Sequence, residues 1–140
     1  MIYLTRRERF NAAHRLYKEA WSDEQNFEVF GKCSNPNWHG HNYELFVTIK
    51  GDINPETGFL INLKQLSTIL NEKIIVKTDH KNLNLDVEFM ADKIPSAENI
   101  AIAIWNEIEN EINQLNCKLH CVKVVETENN SVKYFGQLSR

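Results

Sequence analysis

The chain has 140 residues, of which 42% are hydrophobic and 25% are charged, and its formal net charge is −3. These values are typical of a single globular domain, 1–140, that is large enough to bury a core. The acidic balance and the lack of a basic stripe argue against nucleic acid as a partner. No apolar run approaches the ~20 residues that span a bilayer, which argues against membrane insertion. The charged start, MIYLTRRERF, is unlike a secretory signal, so we expect a cytoplasmic protein.

Two strands are predicted in the first third of the chain, where apolar and polar residues alternate. The first strand covers 2–16, is interrupted by the charged run at 6–9, and ends near His14. A long polar connection, 17–37, follows it, and loops of that length inside compact domains are usually functional or disordered. The second strand covers 39–50 and ends in a stretch rich in turn-forming residues.

Two helices and a hairpin of strands are predicted in the rest of the chain. The first helix covers 62–77 and has its first residue, an asparagine, as N-cap. A connection, 78–93, leads to a second helix that Ser96 caps, and isoleucines at every fourth position give it an apolar stripe typical of a core contact. Two strands, 118–128 and 131–135, then form a tight hairpin. The order β-β-α-α-β-β predicts an α+β fold with one four-stranded antiparallel sheet.

The sequence His39-Gly40-His41 places two imidazoles on one face of the second predicted strand, because side chains two residues apart share a face. Two neutral imidazoles in this arrangement suit a zinc ion. His14, at the end of the first predicted strand, is a third candidate ligand. Three histidines with an open fourth position are typical of catalytic zinc. The alternative is that these histidines are structural, since a lone His-Gly-His is a weak motif.

Five further residues are candidates for chemistry. Cys33 lies in a loop beside a lysine, where a thiol can ionise near neutral pH. Asp79 and His80 are adjacent, which suits proton transfer, although such pairs also occur by chance on surfaces. Glu126 shares the strand parity of apolar neighbours, so it either binds a partner, such as a flat ring with adjacent N–H donors, or turns to solvent. Glu98 is a negative charge in the first turn of a predicted helix.

Six stretches along the chain carry a specific resemblance. They are FNAAHRL at 10–16, GKCSNPNWHGHNY at 31–43, NL at 62–63, DHKNL at 79–83, PSAEN at 95–99 and VVET at 124–127. On these motifs the chain resembles the 6-pyruvoyl-tetrahydropterin synthase / 6-carboxytetrahydropterin synthase family over nearly its whole length.

The resemblance implies the tunnelling fold (T-fold), in which a four-stranded antiparallel sheet carries two helices on one face. It also implies that subunits join their sheets into a trimeric barrel, that two trimers form a homo-hexamer, and that active sites lie between subunits. The implied activity is that of a zinc-dependent lyase on a small molecule, 7,8-dihydroneopterin triphosphate. The roles that the resemblance carries over are zinc ligands His14, His39 and His41, general base Cys33, proton-relay pair Asp79 and His80, and substrate-binding carboxylates Glu126 and Glu98.

Two products remain open. Elimination of triphosphate gives 6-pyruvoyl-tetrahydropterin, whereas the carboxy-forming enzymes of queuosine biosynthesis also release acetaldehyde. Cys33 precedes His39 by six residues, as in pyruvoyl-forming members, and this spacing favours the pyruvoyl product. Trp38 departs from the family, because a small residue is usual before His-Gly-His. Two further hypotheses are a non-catalytic pterin-binding module and a zinc site that only stabilises the sheet.

Overall fold

Five strands and four helices form an α+β structure over residues 1–137, the part of the chain that the computed structural model describes. The strands are β1 (Ile2–His14), β2 (His39–Gly51), β3 (Lys81–Asn82), β4 (Lys118–Thr127) and β5 (Asn130–Tyr134), and the helices are α1 (Asp23–Phe30), α2 (Leu63–Leu70), α3 (Val76–Thr78) and α4 (Ala97–Asn113). The last three residues of the expected domain 1–140, residues 138–140, lie outside the described residues. None of the helices within 1–137 is long and apolar enough to cross a membrane.

The first two strands, β1 and β2, pair in an unbroken antiparallel register along their whole length. The predicted interruption at 6–9 is therefore wrong. Alternate side chains point to opposite faces, and the charged residues of this run find partners on both. Arg6 pairs with Glu8 at 3.0 Å on one face, and Arg7 pairs with Glu44 at 2.8 Å on the other.

The short strand β3 corrects the predicted four-stranded antiparallel sheet. It pairs in parallel with Ala12 and Ala13, so that the sheet is mixed and has the strand order β3-β1-β2-β4-β5. The His80 N–H donates to the Asn11 carbonyl at 2.6 Å, and the Leu83 N–H donates to the Ala13 carbonyl at 2.8 Å. A two-residue strand has no alternation that a sequence can reveal. It forms because the outer edge of β1 offers unpaired backbone groups.

The predicted caps of the two longer helices are confirmed. The Asn62 side chain accepts from the Lys64 N–H at 2.9 Å at the start of α2, and the Ser96 hydroxyl accepts from the Asn99 N–H at 3.2 Å at the start of α4. The helix predicted over 62–77 is not uniform, since a π-helical segment joins α2 to α3. The isoleucine stripe of α4 is buried as expected, with Ile100, Ile104, Ile108 and Ile112 at most 1% exposed.

Helix α1 lies in the stretch that the sequence predicts as a polar connection, and that prediction is wrong for these eight residues. The Ser22 hydroxyl accepts from the Gln25 N–H at 3.1 Å. This Ser-x-x-Gln pattern is the signature of a capping box, and it is the signal that could have revealed the helix. The helix was hidden because Asn26, rather than an apolar residue, is its buried member.

The two faces of the sheet differ. One face packs against α2 and α4, and the β2 residues on it, Tyr43, Leu45, Val47 and Ile49, are 0% exposed. We call this the covered face, and the opposite one the open face. The three candidate histidines lie at one end of the covered face, next to the apolar core.

Candidate active site

The paired ends of β1 and β2 bring the three predicted zinc ligands together. His14 and His39 are direct register partners, and His41 follows on the same face. Ring centroids are 4.5 Å apart for His14 and His39, 5.0 Å for His14 and His41, and 5.1 Å for His39 and His41. One nitrogen from each ring lies within 4.8 Å of the other two. The three rings therefore border one small space.

The glycine between the two β2 histidines has a structural reason. A Cβ atom added to Gly40 would lie 3.0 Å from the carbonyl oxygen of Ala12 in the neighbouring strand. This is tighter than nine in ten real Cβ contacts, so a side chain here would require the β1 backbone to shift by a few tenths of an ångström. The glycine lets the strands pair closely where His14 faces His39.

Within residues 1–137, two buried nitrogens of the cluster have no hydrogen-bond partner, namely His39 Nδ1 and His41 Nε2. His14 Nδ1 lies 2.8 Å from the Pro95 carbonyl, so this nitrogen carries the proton and Nε2 presents its lone pair. A buried lone pair without a partner is costly unless it binds a cation. Three nitrogens about 2.0–2.1 Å from one ion are the geometry of a zinc site, and here one nitrogen of each ring already lies within 4.8 Å of the other two. The donor set fits zinc.

The protonation state of the cluster also suits a metal. Burial lowers the pKa of His14 to about 4, because desolvation disfavours the imidazolium form. Burial also lowers the pKa of His39, and the nearby His41 adds to this effect. His14 and His39 are therefore neutral at pH 7, which is the form that binds metal ions.

Tyr43 belongs to the site, although the sequence patterns do not predict its role. It is fully buried beside Phe10, with ring centroids 4.9 Å apart, and its hydroxyl oxygen lies 3.2 Å from His14 Nδ1. Burial raises the pKa of Tyr43, and the charges of Glu126 and Cys33 raise it further. The phenol therefore stays protonated. Its position in His-Gly-His-Asn-Tyr was the available signal, but a tyrosine in an apolar strand is usually a core residue.

Glu126 faces the histidine cluster from β4. Its carboxylate Oε1 lies 3.9 Å from His41 Nε2, and its side chain is 21% exposed. The parity expected from Val122 and Val124 is correct, since these two are fully buried on the covered face. The sequence left two alternatives for Glu126, namely binding of a partner or a position in solvent. This geometry disfavours the position in solvent.

Cys33 lies on the 3₁₀ turn Gly31–Ser34, which comes shortly before β2. The Cys33 carbonyl accepts from the Leu16 N–H at 2.9 Å, and the Ser34 carbonyl accepts from Arg15 Nε at 2.8 Å. The residues after His14 therefore hold this turn against the end of β1. Cys33 is half-buried and close enough to Tyr43 for its charge to affect the pKa of the phenol. The Cys33 turn thus lies at the end of the sheet that carries His14.

Asp79 and His80 form the predicted pair but stand apart from the histidine cluster. Asp79 accepts from the Asn11 N–H at 2.8 Å and lies 2.9 Å from His80 Nδ1. These two hydrogen bonds lower the pKa of Asp79. The His80 side chain is 82% exposed at the outer edge of the sheet, and its backbone has a φ of 62°. Positive φ is uncommon outside glycine and concentrates at functional positions.

Glu98 is exposed in the first turn of α4, where the helix dipole favours its charge. Pro95 is the residue of the same motif that touches the cluster, through its carbonyl at 2.8 Å from His14. Pro95 is not among the site residues that the sequence predicts. Every residue has a backbone carbonyl, so the residue type at position 95 could not have predicted this contact with His14.

Trp38 connects the Cys33 turn to His39 and has a φ of 67°. Glycine adopts this left-handed conformation freely, whereas a bulky side chain does so at a cost of about 1 kcal/mol or more. Trp38 is thus a bulky residue at a position where the backbone conformation favours glycine. The Trp38 N–H donates to the Asn35 carbonyl at 3.2 Å, which helps to hold the bend.

Comparison with known proteins agrees with this geometry. The family model of 6-pyruvoyl tetrahydropterin synthase matches residues 3–137. The 6-pyruvoyl tetrahydrobiopterin synthase of Homo sapiens is 46% identical over 134 residues, which cover 96% of this chain and 91% of that protein. The 6-carboxy-5,6,7,8-tetrahydropterin synthase of Bacillus subtilis is 31% identical over 104 residues, which cover 72% of this chain and 67% of that protein.

A solved structure is also similar. The 6-pyruvoyl tetrahydropterin synthase of Caenorhabditis elegans superposes with a TM-score of 0.89 at 35% identity, over 97% of this chain and 96% of that one. The match spans both the sheet that carries the histidines and the helices that cover it. The chain therefore belongs to the 6-pyruvoyl tetrahydropterin synthase family.

Proposed function

We propose that this protein is a zinc-dependent lyase that converts 7,8-dihydroneopterin triphosphate into 6-pyruvoyl-tetrahydropterin and free triphosphate. The observation that carries the proposal is the cluster of His14, His39 and His41, in which two buried ring nitrogens have no hydrogen-bond partner among the residues that the structure describes. The similarity to proteins named 6-pyruvoyl tetrahydrobiopterin synthase supports it. Atoms balance, since the substrate rearranges internally and loses only triphosphate.

The three histidines would hold the zinc ion through His14 Nε2, His39 Nδ1 and His41 Nε2. When bound, zinc supplies Lewis acidity that acidifies the C–H next to a side-chain hydroxyl of the substrate and stabilises negative charge on oxygen. The Pro95 carbonyl orients His14 by accepting the Nδ1 proton, and second contacts of this kind tune a metal site.

Cys33 is proposed as the general base that removes the acidified proton. Its half-buried thiol lies on a turn whose Cys33 and Ser34 carbonyls accept hydrogen bonds from Leu16 and Arg15, the two residues that follow His14 at the end of β1. His80 is proposed as the partner that returns a proton. Asp79 at 2.9 Å from its Nδ1 orients the ring and leaves Nε2 free to donate.

Glu126 is proposed to bind the pterin ring. A carboxylate can accept two adjacent N–H groups from a flat ring, and Glu126 points along the covered face toward the histidines. Glu98 is the weaker candidate for a substrate contact, because the start of a helix already accounts for its charge.

Assembly into a homo-hexamer, as a dimer of trimers, would complete the site. His80 is 82% exposed at the sheet edge, where a lone chain cannot exclude water from a proton transfer. The two edges of the sheet are β5 and the very short β3, which leaves most of the outer edge of β1 uncovered. Such edges pair readily with another strand, so a neighbouring subunit would bring its Asp79 and His80 to this cluster.

Product analysis tests the proposal. The zinc-loaded protein is incubated with 7,8-dihydroneopterin triphosphate, and the products are identified by mass spectrometry. We expect the pyruvoyl product, triphosphate and no acetaldehyde, since identity is 46% to the pyruvoyl-forming and 31% to the carboxy-forming relative. A carboxy product together with acetaldehyde would refute the proposal and show that the protein is a 6-carboxytetrahydropterin synthase. Binding without any turnover would indicate a pterin-binding module.

A variant pair tests the general base. Cys33→Ala should abolish turnover and leave pterin binding intact, because the thiol moves a proton and does not hold the ring. Cys117→Ala serves as the control, since that thiol is buried at the far end of the sheet. Unchanged turnover in Cys33→Ala would refute the role of Cys33 while leaving the metal site standing.

A further inference from the structure

The open face of the sheet is strongly basic, although the chain as a whole has 19 acidic and 16 basic residues. In the strands described within 1–137, the basic side chains at alternate positions on this face are Arg7, Arg9, Lys50, Lys118, Lys123 and Lys133. Glu44 is the carboxylate that the same register places among them, and it pairs with Arg7 at 2.8 Å. The positive charge on this face is thus mostly unneutralised.

Lys123 and Lys133 stand directly opposite each other on β4 and β5. Like charges in this arrangement destabilise a sheet. Neither lysine forms an ion pair with another residue of the described chain. The Lys123 ammonium lies 5.2 Å from the centroid of Phe46, its neighbour on β2, and this contact keeps it over the face. Two cations thus stand opposite each other, and no carboxylate of the described residues pairs with either of them.

These lysines line a groove on the open face with a volume of about 390 Å³. Its walls include the Thr5 and Thr48 hydroxyls, 2.7 Å apart, and the ring of His120. No carboxylate of the described residues lines it. The size falls in the range of small-molecule sites, and the lining combines cations, hydroxyls and an imidazole. This is the chemistry that recognises a compact, highly charged anion.

We propose that Lys123 and Lys133 bind a polyphosphate group in this groove, at a site separate from the histidine cluster. An anion between the two ammonium groups turns their repulsion into two charge-assisted contacts. The polyphosphate has two sources, a free triphosphate ion or the phosphate tail of a nucleotide. The inference does not depend on the proposed lyase activity, because it uses none of the residues assigned to that site.

Calorimetric titration with sodium tripolyphosphate at low ionic strength tests the site on the full chain. The double variant Lys123→Gln/Lys133→Gln should raise the Kd by about tenfold or more, since both charged contacts are lost. The control, Lys64→Gln/Lys73→Gln, removes the same charge from the helical layer and should change the Kd by less than about twofold. An equal loss in both variants, or no loss in either, would overturn the proposal.

Two further arms identify the source. ATP that binds more tightly than tripolyphosphate identifies a nucleotide, whereas equal or weaker binding identifies the free ion, and adenosine should not bind in either case. Turnover should be the same in the double variant as in the unmodified protein. A loss of turnover would show that the lysines serve the lyase site and would overturn the claim of a separate one.

Thermal unfolding gives a second readout that needs no binding isotherm. Without anion, the double variant should melt at the same or a higher temperature than the unmodified protein, because the opposed charges are gone. With tripolyphosphate, the unmodified protein and the control should gain stability and the double variant should not. Tripolyphosphate could also act by chelating bound zinc, which would change the melting temperature of the unmodified protein, the control and the double variant by the same amount. An equal change in all three proteins would therefore contradict the lysine site. If the double variant does not fold, Lys133→Gln alone is used.

Discussion

Replacement of one cluster histidine should separate metal-linked stability from ordinary packing. The perturbation is His41→Ala, which removes a ring whose buried Nε2 finds no hydrogen-bond partner in the described part of the chain. An unsatisfied buried group costs about 1–3 kcal/mol, so its removal offsets much of the packing that the truncation loses. We therefore expect the metal-free variant to have nearly the same free energy of unfolding as the metal-free unmodified protein.

When zinc is added, the unmodified protein should become much more stable than the His41→Ala variant. A ligand at 1,000 times its Kd stabilises the folded state by about 4 kcal/mol, which is roughly 10–15 °C in Tm for a chain of this size. The unmodified protein should gain this amount when zinc is added to the chelator-treated form. The variant should gain little, because two imidazoles bind zinc far more weakly than three.

The assay is thermal unfolding with and without zinc, together with metal analysis of dialysed protein. His120→Ala is the matched control, since it removes a partly exposed β4 imidazole outside the cluster, next to Tyr3 and Phe135. The control should gain as much from zinc as the unmodified protein does. An unmodified protein that gains nothing, or a His41→Ala variant that gains the full amount, would refute the reading of the cluster as a metal site. Metal-free protein should stay folded yet inactive, whereas unfolding on metal removal would favour zinc as a structural staple.

Three further predictions concern single side chains. Iodoacetamide should modify Cys33 in the native protein and leave Cys117 and Cys121 unmodified until unfolding, because burial raises the pKa of both thiols; peptide mass mapping checks this. Asp79→Asn should lower stability to urea by under about 1 kcal/mol at pH 7, a small effect because the group is partly exposed. Since folding lowers the pKa of Asp79 from 3.8, this difference should be complete above about pH 5 and vanish as the pH falls through the lower folded-state value. A difference that persists in acid would contradict the hydrogen bonds. Ile108→Ala should cost about 2–5 kcal/mol in urea unfolding, against less than about 1 kcal/mol for the exposed Ile102→Ala.

Local rules were sufficient for much of the fold. The alternation in β2, the caps at Asn62 and Ser96 and the isoleucine stripe of α4 follow from neighbouring residues alone, and each is present as expected. Errors arose where a local pattern was ambiguous or too short. The charged run at 6–9 suggested a break in β1, which is continuous. Helix α1 has no apolar stripe that would indicate a helix, and β3 has only two residues, too few to show an alternating pattern.

The sequence by itself determined that His39 and His41 share a face, because residues two apart in a strand always do. It could not determine that His14 lies opposite His39, which depends on the register of two strands that a 24-residue segment separates. Only the tertiary structure brought the Pro95 carbonyl, 81 residues along the chain, to His14, and only it placed Asp79 and His80 at the outer edge of the sheet. These contacts join backbone groups and distant strands, and the free energy that selects them comes from burial of the whole core rather than from any short stretch of residues.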